Sequence, residues 1–263
     1  MGLMLYGQYG RTGIYDIQDI MRSLTPDEDQ TSQLTVLKSL LRELPSSNRL
    51  VQNAAVSHST AQPDSELVDK FLHPQDRAYN VPELAQLCDQ AALDIIAFLP
   101  VGRYRPETYL SGADFHDRIA NMPLIEQASL AERVAGNIGR HIFYVSPNST
   151  AVGRAASLKD PNVGRAIPIL KDDEGAALAD RFTPETVIKA QFEDLSILAE
   201  PPALAADILR RIDNRNCLED IYFDLAMTNR DLAWPVFLDQ LKNLFDILHG
   251  LLNAMFLRFP KRP

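Results

Sequence analysis

The sequence predicts an α/β fold built on part of a parallel sheet, followed by a mostly α-helical carboxyl-terminal domain. Three observations lead there. First, Leu3 to Tyr6 is a short apolar run ending at Gly7, and from Gly13 onward Ile14, Ile17, Ile20, Met21 and Leu24 recur on one helical face. Strand, glycine-rich turn and helix make half of a βαβ unit. Second, two further apolar runs, 93–99 and 141–145, alternate with helical stretches across residues 1–146. Third, the composition shifts after Ser146 and helical stripes then dominate. A parallel strand requires neighbours and covered faces. The opening strand is therefore expected to belong to a sheet that lacks its amino-terminal half.

Each element follows from its local pattern. Asp27 to Leu44 reads as a helix striped by Leu34, Leu37, Leu40, Leu41 and Leu44 and stopped by Pro45. Residues 46–63 are polar and read as an irregular surface excursion. Glu66–Leu72 is a short helix. Pro82–Ala92 is another, with Pro82 in its first turn and Leu84, Leu87, Cys88 and Ala91 facing inward. Leu93–Leu99 suits a strand ended by Pro100. Residues 100–123, rich in Tyr, Arg and Pro, read as a long loop of the kind that walls or lids a site. Leu124–Ile138 is helical, and His141–Val145 is a strand of β-branched and aromatic residues. Residues 147–165 read as a linker. The domain 166–263 then carries helical stripes at Pro202–Ile212, Leu218–Ala226 and Pro235–Leu252, with Ala254–Phe259 as a final strand.

Composition narrows the function. The 263 residues suffice for one or two domains with a real core, and 46% are hydrophobic. The net charge of −9 argues against a general affinity for nucleic acid or anionic membrane. Cys88 and Cys217 are far apart on apolar helix faces, which indicates neither a disulfide nor a zinc framework and fits a reducing cytoplasm. No apolar run is long enough to span a membrane. His58, His116 and His249 are scattered, so no metal-ligand spacing emerges.

Two segments could carry chemistry. The turn Gly7-Gln-Tyr-Gly-Arg-Thr-Gly13 lies where a strand leads into a helix, the position at which α/β folds bind ligands. Free N–H groups, the helix dipole and Arg11 would favour an anion there. Its G-x-x-G-x-x-G spacing matches neither a dinucleotide nor a triphosphate fingerprint. The alternative is that the glycines only allow a tight corner. The second segment, His73-Pro-Gln-Asp-Arg-Ala-Tyr79, gathers an imidazole, a carboxylate, a guanidinium and a phenol, and His73 could serve as a general base. The alternative is local ion pairing. His141, at the start of a strand, reads as a structural histidine.

Three blocks carry a family resemblance. Gly2-Leu-Met-Leu-Tyr-Gly-Gln-Tyr-Gly-Arg-Thr-Gly-Ile-Tyr15 resembles the fifth strand and following helix of a group of bacterial class I S-adenosylmethionine-dependent methyltransferases, a Rossmann-like fold. His73-Pro-Gln-Asp-Arg-Ala-Tyr-Asn-Val-Pro-Glu-Leu84, with Asp94-Ile-Ile-Ala-Phe98, resembles the helix and sixth strand. Ala131-Glu-Arg-Val-Ala-Gly-Asn-Ile-Gly-Arg-His-Ile-Phe-Tyr-Val145 resembles the helix and antiparallel seventh strand. The carboxyl-terminal domain looks like the small winged-helix-like accessory domain of some members. The resemblance implies that residues 1–146 are the carboxyl-terminal part of a catalytic domain, with the third strand between the other two. It implies methyl transfer to an acceptor, by in-line attack of a nucleophilic atom on the sulfonium methyl. Tyr6, Tyr9, Arg11 and Tyr15 would flank the acceptor pocket, with His73, Arg77 and Tyr79 approaching from the insertion.

The family's glycine-rich loop after the first strand, and its acidic residue after the second, have no counterpart here. No cofactor-binding residue carries over, and the chain alone is expected neither to bind S-adenosylmethionine nor to turn over. Two readings follow. In one, the chain is a truncated methyltransferase. In the other, it is a non-catalytic binding or regulatory protein on a degenerate half-fold. An apolar opening strand without its neighbour is expected to self-associate.

Overall fold

A computed structural model describes residues 1–54, 56, 60–110, 112–148, 157–171, 175–183, 185–192 and 195–260. The opening run forms β1 (Gly2–Gly7), and α1 (Ile14–Leu24) follows the glycine turn. Next come α2 (Gln30–Glu43), α3 (Arg49–Gln52) and α4 (Asp64–Phe71). Asp29 caps α2 by accepting from the Thr31 and Ser32 N–H groups. A two-residue strand, β2 (Ala78–Tyr79), leads into α5 (Val81–Gln90), whose start carries an Asn80–Glu83 capping box. Then follow β3 (Leu93–Leu99), α6 (Ala113–Ile119), α7 (Leu124–Ala135) and β4 (Arg140–Pro147).

The main sheet has the order β2-β1-β4-β3. β4 runs antiparallel to both β1 and β3 and lies between them, as the resemblance implied. β2 pairs parallel with β1 through Tyr6–Ala78 and Gly7–Tyr79. That strand was not expected. It occupies the β1 edge only at its carboxyl end, and Gly2–Leu5 have no strand beside them on that side among the described residues. One face of the sheet is covered. Phe98, Phe143 and Val145 pack under Val81, Leu84 and Cys88 of α5 and Ala128 of α7. On the other face Met4, Ile142 and Tyr144 are 51%, 43% and 50% exposed. A second core joins α1, α2 and α4 through Ile14, Ile17, Leu37, Leu41, Leu67 and Phe71, with Leu50 of α3 beneath.

Two segments expected to be irregular hold structure. Residues 46–63 include α3, and the Arg/Tyr/Pro-rich stretch 100–123 contains α6 and two 3₁₀ turns, Val101–Tyr104 and Pro106–Thr108. The carboxyl-terminal part is less purely helical than its stripes suggest. It contains β5 (Ile167–Leu170), α8 (Gly175–Ala179), the hairpin β6 (Ile188–Phe192) and β7 (Leu195–Ala199), α9 (Ala205–Leu209), α10 (Leu218–Thr228) and α11 (Trp234–Phe245). A π-helical segment, Asp246–Leu251, continues α11, and β8 (Met255–Arg258) pairs antiparallel with β5. The expected final strand is thus present.

The middle of the expected 147–165 linker, residues 149–156, lies outside the described residues, as does His58. Val163 at the linker's far end packs into the carboxyl-terminal core with Leu218, Ile221 and Phe237. The two parts touch through Arg105–Asp246 (2.8 Å), through Asn137 Nδ2 donating to the Phe192 carbonyl (3.3 Å), and through Gly102 against the Gly250 carbonyl.

Candidate functional site

The glycine turn is packed closely against neighbouring backbone. A Cβ on Gly7 would sit 2.1 Å from the Ile138 carbonyl oxygen, and one on Gly10 2.3 Å from the Gly139 nitrogen. Gly13 has a φ of 91° and would meet the Leu50 backbone at 2.3 Å. Four of the seven N–H groups of the turn are spent internally. Gly7 donates to the Gly139 carbonyl (2.9 Å), Gln8 to that of Tyr79 (3.0 Å), Gly10 to that of Ile138 (3.2 Å) and Thr12 to that of Tyr9 (3.3 Å). Asn53 Nδ2 closes the other side by donating to the Gly10 and Thr12 carbonyls (3.1 and 3.0 Å). This packing is what the tight-corner alternative requires: the glycines fit the turn against the segment before β4.

Arg11 is already engaged by a carboxylate. It forms an ion pair with Asp76, with side chains 11% and 5% exposed. Its guanidinium lies over the Tyr6 ring (3.8 Å to the centroid) and farther over that of Tyr15 (5.6 Å), and its Nε donates to the Tyr15 hydroxyl (3.2 Å). Gln18 Nε2 lies 3.4 Å from the same Asp76 oxygen and donates to the Lys70 carbonyl at 3.0 Å. Burial, opposed by Arg11, pushes the Tyr15 phenol above its ordinary value, so it stays protonated at neutral pH. Asp76 is what joins the two sequence segments. It lies inside the His73–Tyr79 stretch, yet its partner is 65 residues away rather than local.

The remaining candidates sit around this pair. Arg77 lies over the Tyr79 ring (4.5 Å) and pairs with Glu83 (3.0 Å), the local arrangement that the sequence left open. His73 is exposed at the end of α4, where its Nδ1 accepts from the Gln75 N–H (3.2 Å). A cleft of ≈ 370 Å³ beside β1 is lined by Met4, Tyr6, Asp69, His73, Arg77 and Tyr79, among others. Tyr6, His73, Arg77 and Tyr79 thus share one cleft, and the Arg11–Asp76 pair adjoins it. Tyr9 does not join them. It stays on the turn, where its carbonyl accepts from the Thr12 N–H and hydroxyl (3.3 and 2.6 Å).

Behind the cleft is a buried network centred on His141. Its Nδ1 lies 2.9 Å from the Tyr104 hydroxyl, and its Nε2 lies 2.9 Å from the Tyr79 carbonyl and 3.2 Å from Glu132 Oε1. Glu132 Oε2 accepts from the Val81 N–H (2.8 Å). His141 and Glu132 are both fully buried. This matches the structural reading of His141, and the network ties β2 to β4 and α7. Glu132 was not singled out from sequence. Its only signal there is an acidic residue among the inward positions of α7.

No family model matches the sequence. The fold resembles PKMT2 from Rickettsia typhi, with a TM-score of 0.52 and 11% identity, over 100% of this chain and 52% of that one. The same protein in complex with AdoHcy gives a TM-score of 0.53 and 14% identity over the same shares. The likeness is one of fold. Among curated proteins, an uncharacterized Synechococcus protein, syc1184_c, is 22% identical over 147 residues, 54% of this chain and 35% of that protein. The chain therefore spans about half of the solved relatives and about a third of the curated one.

Among the described residues, the groups needed to hold S-adenosylmethionine are not assembled. Four of the seven turn N–H groups are used, Arg11 is neutralised by Asp76, and among the described residues the strand beside the cleft is incompletely paired. These residues do not by themselves fit the cofactor.

Proposed function

We propose that this chain is the acceptor-side portion of an S-adenosylmethionine-dependent methyltransferase. The observation that carries this reading is the slotting of antiparallel β4 between β1 and β3, with a cleft against β1 and β2. The fold likeness to PKMT2, one structure of which holds AdoHcy, supports it. In this reading the cofactor is held by polypeptide outside these residues, packed along Gly2–Leu5 and over Met4, Ile142 and Tyr144. Tyr6, Arg77 and Tyr79 then wall the acceptor side, the Arg11–Asp76 pair fixes the floor, and His73 stands at the rim as the candidate base. Their contribution is positioning and exclusion of water.

The test is a polypeptide lengthened by the coding sequence upstream of Met1. It is expected to bind S-adenosylmethionine and transfer its methyl group. In it, Tyr6→Ala and Arg77→Ala should lower turnover about tenfold or more while cofactor affinity stays within about twofold. Parallel loss of cofactor affinity would contradict the acceptor-side placement. A lengthened chain that still binds no cofactor would favour a non-catalytic binding protein on the same half-fold.

A further inference from the structure

A second cavity, ≈ 450 Å³, lies where the two parts of the chain meet. Arg105 comes from the first part; Ser157, Leu158 and Lys159 close one side; Leu238, Asp239, Lys242, Phe245, Asp246 and His249 come from α11 and its π-helical continuation. A volume of this size at a domain junction is typical of small-molecule sites, and π-helical turns recur at functional sites. Here the His249 ring stacks on Phe245 (centroids 4.6 Å apart, planes 15°) while Phe256 meets it edge-on.

The charges lining the cavity are unevenly satisfied. Arg105 and Asp246 neutralise one another (2.8 Å). Lys159 and Lys242 have no side-chain partner among the described residues, and Asp239 is the one remaining carboxylate in the lining. His249 Nδ1 lies 2.9 Å from the Met255 carbonyl, which places the ring proton there, and burial depresses its basicity, so the imidazole brings no positive charge. The result is an apolar wall of Leu158, Leu238 and Phe245 beneath two free ammonium groups. We propose that this junction cavity binds a small anion with a planar apolar body, and that the bound molecule bridges the two parts of the chain. The apolar wall takes the body, and Lys159 and Lys242 take the acid group.

The test uses the full chain and the fluorescent probe 8-anilinonaphthalene-1-sulfonate. Saturable binding of one probe per chain is expected, weakened about tenfold in K159E/K242E and weakened by added salt. Because the open sheet face could also take this probe, M4S/I142S serves as the control and should leave the affinity unchanged. Both lysines are exposed, so the charge variants should fold normally. Equal affinity in K159E/K242E, or binding that disappears in M4S/I142S, would overturn the proposal.

Discussion

Arg11 and Asp76 are the residues on which the site's shape depends most. Both are nearly buried, so removing either leaves a charge without its partner in a low-dielectric setting. Arg11→Ala and Asp76→Asn should each destabilise the chain by about 3 kcal/mol. The double replacement Arg11→Met/Asp76→Leu should cost less than either, because no charge is then stranded. Chemical denaturation of the three variants checks this, and additive losses would show that the pair is not coupled. The glycines make a second case at the same scale. Gly10→Ala drives a methyl into backbone at 2.3 Å and should cost about 3 kcal/mol. Gly136→Ala, at a φ of 68° with nothing near it, should cost about 1 to 2 kcal/mol from backbone strain alone. Thermal melts that rank the two the other way would contradict the packing role of the turn. The sequence showed that Gly7, Gly10 and Gly13 make a corner. It could not show what the corner presses on, because Ile138 and Gly139 are more than a hundred residues away. The partner of Asp76 stayed hidden for the same reason: an ion pair across 65 residues has no local spacing.

At the level of elements, legibility followed the strength of each pattern. β1, β3 and β4 are continuous apolar or aromatic runs and were found within a residue or two. Their order came from the resemblance, not from the runs. β2 has two residues and exists through its pairing with Tyr6 and Gly7, so no periodicity could reveal it. The β6 strand did leave a signal. Ile188, Ala190 and Phe192 alternate with Lys189 and Gln191, a period of two that the surrounding helical stripes obscured. The π-helical segment extends the stripe of α11 without a visible break and is seen only in three dimensions. Its His249 gives a pH prediction. Burial holds the imidazole below its ordinary value near 6.5, so the unfolded chain binds the proton more readily. His249's contribution to stability is then complete above about pH 6.5 and is lost as the pH falls through the folded-state value. Denaturation across pH 5 to 8 should show His249→Gln losing less stability on acidification than the parent. Equal slopes would mean that His249 does not titrate differently on folding.

For the whole molecule, the half-covered sheet is the dominant fact. A face carrying Met4, Ile142 and Tyr144, next to an edge that among the described residues is paired only at Tyr6 and Gly7, is an invitation to association. The chain alone is expected to self-associate in sedimentation analysis, and M4K/I142K should shift it toward monomer. A monodisperse parent at high concentration would contradict this. The expected division into two folding units is tested by limited proteolysis, which should cut first between Pro147 and Arg165. Early cleavage inside Leu204–Leu252 would count against it. Among the described residues no helix is long and apolar enough to cross a membrane.

The most direct measurement is calorimetric titration of this chain with S-adenosylmethionine. Micromolar binding requires about 8 kcal/mol. A single charge-assisted hydrogen bond supplies about 1.5 to 3, and here Arg11 is already paired with Asp76 and Arg77 with Glu83. No saturable heat is expected into the millimolar range. A dissociation constant of a few micromolar would contradict the acceptor-side assignment and place a complete cofactor site within these 263 residues.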